Sequence, residues 1–424
     1  MAKKVCIYTL GCRLNSIESE AIAESFKKSG FEIVSEKVKS DLYIINSCTV
    51  TSKAEQKARR MLNLFLKTAP CIITGCYAEL DKDSLGRISD KLIIVSNTQK
   101  SFLLNLAEKL APLDNINADS IKYALNTIEN IGATDSFSFF TKSFSFHSRA
   151  ILKIQDGCDR FCAFCRTSIA RGMPKSLAVK DVIERIEILQ SEGYKEIVLT
   201  GVNLALYNYD GIDFANLLRQ LLPSVSTNCQ IRFSSIEPDL ITDDFYSTIQ
   251  DKRIAPYFHL PIQTASEKVL MLTGRRYTQK DLDHIINSLR SSKDNPFIAA
   301  DIIAGLPEED DSAFLENYNF LESHKFAFLH VFPFSPRPLT RFEHTPHPQE
   351  CIRDKRAEAL RLLSDKLYKD YYNLFKGKTI SAIYEGEKNS KQHFTTENYL
   401  KIEKPMNVGD KPIAPGERVS ILVD

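Results

Sequence analysis

The feature of this sequence that most constrains its fold is a repeated alternation of short apolar runs with segments of helical periodicity. In residues 1–112 the runs VCIYTL, DLYIINS and CIITG are separated by IESEAIAESFKKSG and KAEQKARRMLNLFLKTA, whose apolar residues recur at helical spacing. Strands that alternate with helices are typical of a parallel sheet covered by helices. The sequence therefore predicts an open parallel α/β domain over 1–112, with LIIVSNT at 92–98 as a further strand.

The alternation stops in residues 113–146 and returns from residue 147. The segment DSFSFFTKSFSFHS, which alternates Ser and Phe, fits either an edge strand or a linker laid over the surface. Beyond it, RAILKIQDG, EIVLTGV, QIRFSSI, YFHLPI, FIAADIIAG and AFLHVFPF are strand candidates with helical stretches between them. Six strands are too few for a closed eight-stranded barrel, so we expect a partial (β/α)6 barrel over 147–348.

The remaining residues predict a helical bridge and a small all-β module. Residues 349–375 have helical character, whereas TISAIYEG, NYLKIEK and RVSILVD in 376–424 are short strands between Gly, Asn and Pro turns. A module of this length is too short for a sandwich and fits a compact, OB-like barrel.

Composition excludes several classes of protein. The 424 residues carry a formal net charge of +1, which excludes a uniformly basic nucleic-acid binder but leaves room for a local basic face. The apolar run near the start is too short for a signal peptide, and no window of 18 apolar residues predicts a membrane span. Ten cysteines without an export signal predict a reducing, cytoplasmic compartment, where clustered cysteines act as metal ligands or catalytic groups.

The stretch GCDRFCAFC carries the most specific chemical signal. Cys158, Cys162 and Cys165 lie in one loop that follows the first predicted barrel strand. Three thiolates on a [4Fe–4S] cluster leave one iron with an open position, which is where a substrate or cofactor binds. A zinc site with a distant fourth ligand and a redox CxxC pair are the alternatives.

A second set of cysteines follows the predicted strands of the N-terminal domain. Cys12, Cys48 and Cys76 each come directly after an apolar run, whereas Cys6 and Cys71 fall inside such runs. The carboxyl ends of parallel strands share one edge of the sheet, so we expect the first three to converge. The alternative is that all five are small buried apolar residues.

The spacing CxxxCxxC, with Phe164 before the last cysteine, resembles the signature of radical S-adenosylmethionine enzymes. In that family the amino and carboxylate groups of S-adenosylmethionine chelate the open iron, and its cleavage gives a 5′-deoxyadenosyl radical. The resemblance implies that Cys158, Cys162 and Cys165 hold this catalytic cluster.

Motifs along the whole chain narrow the resemblance to the methylthiotransferase branch of these enzymes. They are TLGCRLN, NSCTV, TGCYAE, GCDRFCAFC, ARG, EIVLTGVN, RFSSIEP, HLPIQ, GRRYT, DIIAGLP and HVFPFSPR. The resemblance implies a second [4Fe–4S] cluster on Cys12, Cys48 and Cys76, a C-terminal RNA-binding module of the TRAM type, and an electron donor such as flavodoxin or ferredoxin.

The chain departs from the family pattern at several positions. Pro and Tyr usually stand where this sequence has Ser168 and Ile169. Gly-Glu-Thr usually replaces Glu308, Glu309 and Asp310, and Gly is common in place of Ala265 and Leu339.

Four residues at the ends of barrel strands are candidate contacts for S-adenosylmethionine. Gly201 permits close approach of the backbone, and Asn203 follows it. Glu237 and Asp301 are carboxylates placed to meet ribose hydroxyls or the methionyl amino group. A structural turn or an ordinary hydrogen bond explains each of them equally well.

RNA contacts are predicted at two places. Lys53, Lys57 and Arg60 share one face of a helix just after Cys48, where they could meet phosphates. Arg275 and Arg276 lie in a loop, and arginine stacks on unpaired bases and pairs with phosphate. A solvated charged surface is the alternative at both places.

The resemblance thus implies methylthiolation of C2 of N6-threonylcarbamoyladenosine at position 37, in the tRNA anticodon loop. Within the resemblance, RFSSIEP and GVN favour this substrate over isopentenyladenosine in tRNA or an aspartate of a ribosomal protein. A non-catalytic iron–sulfur or zinc RNA-binding protein is the alternative of another class.

Overall fold

The structure, a computed structural model, describes residues 2–129, 135–406 and 413–424. Its contacts divide the chain into two compact units. Unit 1 comprises the described residues up to Phe146 together with Asp156–Asp159 and Cys165–Pro174. Unit 2 comprises His147–Gln155, Arg160–Phe164 and the described residues from Lys175 onward. The domain boundaries given above remain predictions.

Unit 1 is built on a parallel sheet with helices on both faces. Its strands are β1 (Lys4–Thr9), β2 (Glu32–Val34), β3 (Leu42–Ser47), β4 (Cys71–Gly75) and β5 (Leu92–Ile94). Its helices are α1 (Arg13–Lys28), α2 (Ser52–Phe65), α3 (Cys76–Leu80), α4 (Lys82–Gly86), α5 (Leu103–Leu110), α6 (Ala118–Glu129) and α7 (Thr167–Arg171), with a 3-10 turn at Lys100–Phe102.

The sheet has the order β2-β1-β3-β4-β5, and each neighbouring pair is parallel. Alternate residues of each strand face two apolar cores, one under α1, α5 and α6 and the other under α2 and α3. Cys6 and Cys71 are 1% and 0% exposed within the second core, as predicted for strand residues. The predicted parallel α/β fold is confirmed, with β2 as a short edge strand that the sequence does not predict.

Helix α6 lies in the segment for which the sequence predicts only a linker or an edge strand. Ile121, Ala124 and Ile128 are buried on one side of this helix and join the core under α5. The described residues 135–146 form turns and bends, so the Ser/Phe alternation there does not produce a strand.

Unit 2 contains the predicted six barrel strands. They are β6 (Ala150–Lys153), β9 (Glu196–Thr200), β12 (Gln230–Phe233), β13 (Tyr257–Gln263), β14 (Phe297–Ala304) and β15 (Phe328–Pro333). Two-residue strands are β7 (Gln155–Asp156), β8 (Lys175–Ser176), β10 (Asn208–Tyr209) and β11 (Ile212–Asp213).

Helices alternate with these strands, as the sequence predicts. They are α8 (Val179–Ser191), α9 (Phe214–Leu221), α10 (Asp243–Thr248), α11 (Glu267–Thr273), α12 (Gln279–Ser292) and α13 (Asp311–Ser323), with 3-10 turns at Leu204–Leu206, Leu222–Ser224 and Pro238–Leu240.

The barrel strands form two parallel three-stranded sheets in sequence order, β6-β9-β12 and β13-β14-β15. Single parallel bridges between Ile231 and Ile254 and between Ser235 and His259 join the two sheets. The open, partial barrel is therefore confirmed. Its loops after the carboxyl ends of the strands are where enzymes of this architecture bind their ligands.

The C-terminal part of unit 2 begins with the long helix α14 (Glu350–Asn373). An antiparallel sheet of the order β18-β17-β16-β19 follows. Its strands are β16 (Thr379–Lys388), β17 (Lys391–Thr396), β18 (Lys401–Pro405) and β19 (Arg418–Leu422). The all-β prediction is confirmed. The sequence does not predict β17, because KQHFTT is largely polar and its pairing comes from β16 and β18 on either side.

Across residues 2–129, 135–406 and 413–424, no helix is both long enough and apolar enough to cross a membrane.

Candidate functional site

Three neighbouring strands of unit 1 deliver Cys12, Cys48 and Cys76 to the same edge of the sheet. Cys12 caps the start of α1 after β1, Cys48 follows β3, and Cys76 begins α3 after β4. Because β3 lies between β1 and β4, the three cysteines leave adjacent strand ends. Cys12 is exposed, whereas Cys48 and Cys76 are 7% and 8% exposed.

Two glycines allow these loops to approach each other closely. Gly11 has φ +100°, and a Cβ atom on it would lie 2.8 Å from the Cys48 sulfur. Gly75 has φ +94°, and a Cβ atom there would lie 2.3 Å from the Ser47 carbonyl oxygen. A side chain at either position would collide with Ser47 or Cys48, so the close approach of these segments requires glycine.

Asn15 fixes the spacing of the first two loops. This residue is 1% exposed, and its side-chain amide donates to the Leu10 carbonyl at 2.6 Å and to the Ser47 carbonyl at 3.0 Å. Asn46 donates in turn to the Asn15 carbonyl at 3.0 Å. The loops that carry Cys12 and Cys48 are thus joined by buried hydrogen bonds, which are costly to break.

Burial is the largest influence on the two buried thiols of this set. It raises the pKa of Cys48 to about 12, with smaller contributions from the neighbouring Cys12 and Cys76, while the Val50 N–H and Arg171 oppose the rise. Burial also raises the pKa of Cys76, and Arg171 acts against it. The thiolate forms of these residues therefore depend on nearby positive charge, of which Arg171 is one source.

Arg171, in the segment of the chain that follows the cysteine loop, belongs to unit 1 and lies beside this triad. It donates to Glu18 and Asp156, at 3.1 Å each, and to the Asn15 side-chain oxygen at 2.9 Å. Glu18 also pairs with Lys100 at 2.5 Å. Two cations and two carboxylates thus form a buried network next to the thiols.

Arg166 anchors the same segment at a second point. Its side chain is 2% exposed and donates to Thr49 at 2.8 Å, to Glu55 at 3.0 Å and to Asp81 at 3.1 Å. Thr49 directly follows Cys48, and Arg166 directly follows Cys165. The residues after Cys165 are therefore held by side chains of α2 and the loops around it.

The three cysteines of GCDRFCAFC, here called the loop triad, are divided between the two units. Cys158 and Cys165 belong to segments of unit 1 and Cys162 to a segment of unit 2. In unit 1 the Cys158 N–H donates to the Gly172 carbonyl at 2.9 Å, and the Cys165 sulfur accepts from the Thr167 N–H at 3.3 Å.

A recurring backbone conformation precedes the cysteines. Gly11, Gly75, Gly157 and Phe161 have φ of +100°, +94°, +74° and +47°, and each stands immediately before a cysteine of the two triads. In the part of the chain that the structure describes, no three His, Cys, Asp or Glu side chains are grouped to hold a single metal ion. Thiol donors, glycines that bring loops together and N–H donors to sulfur are features that fit an iron–sulfur cluster.

The segment of the loop in unit 2 is fixed to the barrel. Arg160 pairs with Asp239, the Ala163 N–H donates to the Thr273 carbonyl at 2.9 Å, and the Phe342 N–H donates to the Ala163 carbonyl at 3.0 Å. Phe161, between these anchors, is 56% exposed.

The residues predicted to contact S-adenosylmethionine have protein partners in unit 2. A Cβ atom on Gly201 would lie 2.7 Å from the Gln155 side-chain oxygen, which accepts from the Asn203 N–H at 2.9 Å. The Asn203 side-chain oxygen is buried without a hydrogen-bond partner among the described residues. A buried acceptor without a donor is the expected condition of a group that binds a ligand.

The two predicted carboxylates are paired. Glu237 forms an ion pair with Arg275, and burial, only partly offset by Arg275, raises the pKa of Glu237. One Asp301 oxygen lies 2.9 Å from the His259 Nε2 atom, and the Asp301 side chain is 24% exposed. Asp301 is thus the more accessible of the two.

The basic residues predicted to meet RNA differ in exposure. Lys53, Lys57 and Arg60 are exposed on α2, and Arg276 is exposed in the loop after α11. The Arg275 side chain is 5% exposed and donates to Glu237 and to the Pro261 carbonyl. Its donors are therefore directed inward, toward the barrel, and not at the surface.

The structure gives the backbone conformation or the burial of residues at which this sequence departs from the family pattern. Glu308 and Leu339, where glycine is usual, have φ of +62° and +68°, a region that glycine favours. Ala265 and Ser168 are buried, whereas Ile169 is 41% exposed.

Several residues that build the site are not predicted from the sequence. Gly11 and Gly75 leave one signal in the sequence, because each directly precedes a cysteine at the carboxyl end of an apolar run. Arg171 stands in the ARG motif, but its partner Glu18 is 153 residues away, so no local pattern connects them.

Comparison with known proteins agrees with this architecture. Residues 4–96 match the uncharacterized protein family UPF0004, and residues 152–321 match the radical SAM superfamily. A solved radical S-adenosylmethionine methyltransferase from Kitasatospora setae, 12% identical, has the same fold with a TM-score of 0.57 over 81% of this chain and 75% of its own.

Curated relatives cover nearly the whole sequence. Threonylcarbamoyladenosine tRNA methylthiotransferases from Treponema pallidum and Aquifex aeolicus are 35% and 30% identical, over 94% and 95% of this chain and 94% and 96% of their own. A tRNA-2-methylthio-N(6)-dimethylallyladenosine synthase from Neorickettsia sennetsu is 28% identical over 90% of this chain and 83% of its own. The chain belongs to the methylthiotransferase family of radical S-adenosylmethionine enzymes.

Proposed function

We propose that this protein transfers a methylthio group to C2 of N6-threonylcarbamoyladenosine at position 37 of tRNA. The observation that carries the proposal is the 35% identity, over 94% of the chain, to a relative named for that substrate. The dimethylallyladenosine synthase from Neorickettsia sennetsu is less similar, at 28% identity.

The chemistry of the substrate requires a radical enzyme. An aromatic C–H carbon is neither acidic enough for a general base nor electrophilic enough for a thiolate, so a cofactor must carry the reaction. When bound, a [4Fe–4S] cluster with S-adenosylmethionine supplies the 5′-deoxyadenosyl radical, and a second cluster supplies the sulfur. The protein binds and orients these groups and excludes competing reactions.

In the proposed arrangement Cys158, Cys162 and Cys165 hold the radical-generating cluster. The backbone donors to sulfur and the anchors on both sides of the loop support this assignment. Asn203, with its unpartnered side-chain oxygen, and Asp301, with its partly exposed carboxylate, are the proposed contacts to S-adenosylmethionine. Gly201 permits the close approach of Gln155, which accepts from the Asn203 N–H, and Glu237 acts with Arg275 as a pair.

Cys12, Cys48 and Cys76 hold the second cluster in this proposal. Support comes from their position on adjacent strand ends, from the glycines that bring their loops together and from the electrostatic influence of each thiol on the others. Three protein ligands leave one iron of that cluster open to the transferred sulfur.

An anticodon-loop base is unpaired and is splayed out at little energetic cost, which suits recognition by single-stranded RNA contacts. The exposed Lys53, Lys57 and Arg60 on α2, together with Arg276, are the proposed phosphate contacts. The C-terminal sheet, which resembles a TRAM module, is the second proposed RNA contact.

The test uses anaerobically reconstituted protein and anticodon stem–loops that carry threonylcarbamoyladenosine, isopentenyladenosine or unmodified adenosine at position 37. We expect the methylthio product on the first RNA, detected by mass spectrometry of nucleosides. The control is the Cys158→Ala, Cys162→Ala, Cys165→Ala variant, which should give no product on any RNA. Preferential product on isopentenyladenosine would overturn the substrate assignment, and modification only of a ribosomal protein would overturn the RNA assignment.

A further inference from the structure

The network around Arg171 lies between residues of the two cysteine triads within unit 1. The Arg171 side chain is 4% exposed. Its guanidinium donates to the Asn15 side-chain oxygen at 2.9 Å, and the Asn15 amide joins the loops that carry Cys12 and Cys48. The same guanidinium pairs with Asp156, which lies two residues before Cys158. One side chain therefore contacts the residue that joins two loops of the first triad and the carboxylate of Asp156, in the segment that leads to the second triad.

The charged side chains around Arg171 are also buried. Glu18 accepts from Arg171 and from Lys100, and the Glu18 and Lys100 side chains are both 2% exposed. Glu18 and Asp156 pair with the Arg171 guanidinium, and an arginine side chain stays protonated in proteins. Arg171 is consequently a fixed cation beside the loops of the first triad.

Arg166 provides an internal comparison. Both arginines lie in the segment Cys165–Pro174, both are nearly buried, and both pair with two carboxylates. Arg166 reaches Glu55, Asp81 and the Thr49 hydroxyl. Arg171 instead reaches Asn15, between the Cys12 and Cys48 loops, and its charge acts on the Cys48 and Cys76 thiols. If Arg171 only stabilised the fold, replacing either arginine should have the same effect on a cluster at the first triad.

We propose that Arg171 is a positioning residue that sets the electronic state of the cluster on Cys12, Cys48 and Cys76 while it holds the segment leading to Cys158. This inference rests on the proposed function, because it requires a cluster at the first triad. Hydrogen bonds to ligand sulfurs and nearby charges tune the reduction potential of an iron–sulfur cluster. A cation in a poorly solvated site stabilises the reduced, more negative cluster, whereas a carboxylate there has the opposite effect.

The experiment measures the reduction potential of the first cluster alone. The Cys158→Ala, Cys162→Ala, Cys165→Ala variant serves as background, and the potential is read by EPR-monitored redox titration after iron and sulfide analysis. Into this background we place Arg171→Gln, Arg171→Lys, Glu18→Gln and, as the matched control, Arg166→Gln.

We expect Arg171→Gln to shift the potential to more negative values and Arg171→Lys to shift it less in the same direction. Glu18→Gln should shift it to more positive values, and Arg166→Gln should leave it within replicate scatter. Opposite signs from two buried substitutions would not arise from general loosening of the fold.

Equal shifts for Arg166→Gln and Arg171→Gln, or the same sign for Arg171→Gln and Glu18→Gln, would overturn the role of Arg171. An unchanged potential in Arg171→Gln and Arg171→Lys would do the same. If the background variant bound no iron and sulfide, the second cluster of the proposed function would be wrong, and this inference would fail with it. If the Arg171 variants kept their iron and the potential did not change, this inference would be wrong while the second cluster of the proposed function would stand.

Discussion

Cys12, Cys48 and Cys76 have 35 and 27 residues between them and are brought together by three adjacent strands, whereas Cys158, Cys162 and Cys165 lie within eight residues of one loop. The first arrangement depends on a folded sheet, two glycines without which its loops would collide, and a buried asparagine. The second keeps its three cysteines close along the chain, and long-range contacts of Arg160, Arg166 and Arg171 anchor the loop that carries them. Damage to the sheet edge should therefore affect the first triad selectively, and changes in the loop should affect the second.

The largest effects should come from removing each triad. We expect reconstituted parent protein to bind about eight irons and each triple Cys→Ala variant about four. The Cys158→Ala, Cys162→Ala, Cys165→Ala variant should lose cleavage of S-adenosylmethionine to 5′-deoxyadenosine. The Cys12→Ala, Cys48→Ala, Cys76→Ala variant should keep cleavage with a strong reductant but form no methylthio product. Product at the parent rate from the latter variant would break the assignment of two separate roles.

Gly75→Ala tests the sheet edge without changing a ligand. Because its Cβ would lie 2.3 Å from the Ser47 carbonyl at φ +94°, we expect a loss of about 3–5 kcal/mol in the free energy of unfolding and loss of iron from the first triad. Gly193→Ala is the control, since Gly193 has the same φ of +94° with no atom within 4 Å of the added Cβ. It should cost about 1–3 kcal/mol and retain parental iron. Equal iron loss in both would contradict the close-approach explanation.

Asn15→Ala should have a smaller effect on the same triad. Leaving the Leu10 and Ser47 carbonyls without their buried donor should cost about 2 kcal/mol, measured by urea denaturation. Iron in a background without the loop triad should become easier to remove with a chelator. Ser16→Ala, one residue along α1 and facing outward, is the comparison, and we expect it to stay within about 0.5 kcal/mol of the parent.

The smallest effect is expected in the loop. Phe161→Gly removes the side chain of an L residue held at φ +47°. The change relieves about 1–2 kcal/mol of backbone strain. The larger conformational entropy that glycine loses on folding offsets about 0.5–1 kcal/mol of this gain in stability. Because the Phe161 side chain is 56% exposed, little burial is lost, so we expect a net gain of up to about 1 kcal/mol. Leu339→Gly, at φ +68° and 61% exposed, should behave alike. A large loss of stability in Phe161→Gly alone would show that the ring packs in a way that its exposure does not indicate.

The contrast between the triads also explains what the sequence could predict. The loop triad is visible as CxxxCxxC, and the barrel strands are visible because apolar runs recur between helices. The convergence of Cys12, Cys48 and Cys76 required an inference about sheet topology, which the order β1-β3-β4 supports.

Other features escaped prediction for physical reasons. Arg171 and Glu18 meet only through tertiary structure, and β2 and β17 owe their pairing to neighbouring strands more than to their own apolar content. Helix α6 buries Ile121, Ala124 and Ile128 at helical spacing, but the strand–helix alternation is lost around it, and the Ser/Phe segment that follows predicts only a linker or an edge strand.

The assignment of Asp156–Asp159 and Cys165–Pro174 to unit 1 has a consequence for domain grafting. A chimera that exchanges everything after residue 146 with a relative's sequence would replace Asp156, Arg166 and Arg171 but keep Glu18, Glu55 and Lys100. Unless the incoming sequence supplied matching charges, Glu18 and Glu55 would lose their arginine partners, and the pair of Glu18 and Lys100 would remain alone at the sheet edge. A modular exchange should therefore carry α1, the Lys100 turn and residues 156–174 together, because these segments form one electrostatic unit despite their separation along the chain.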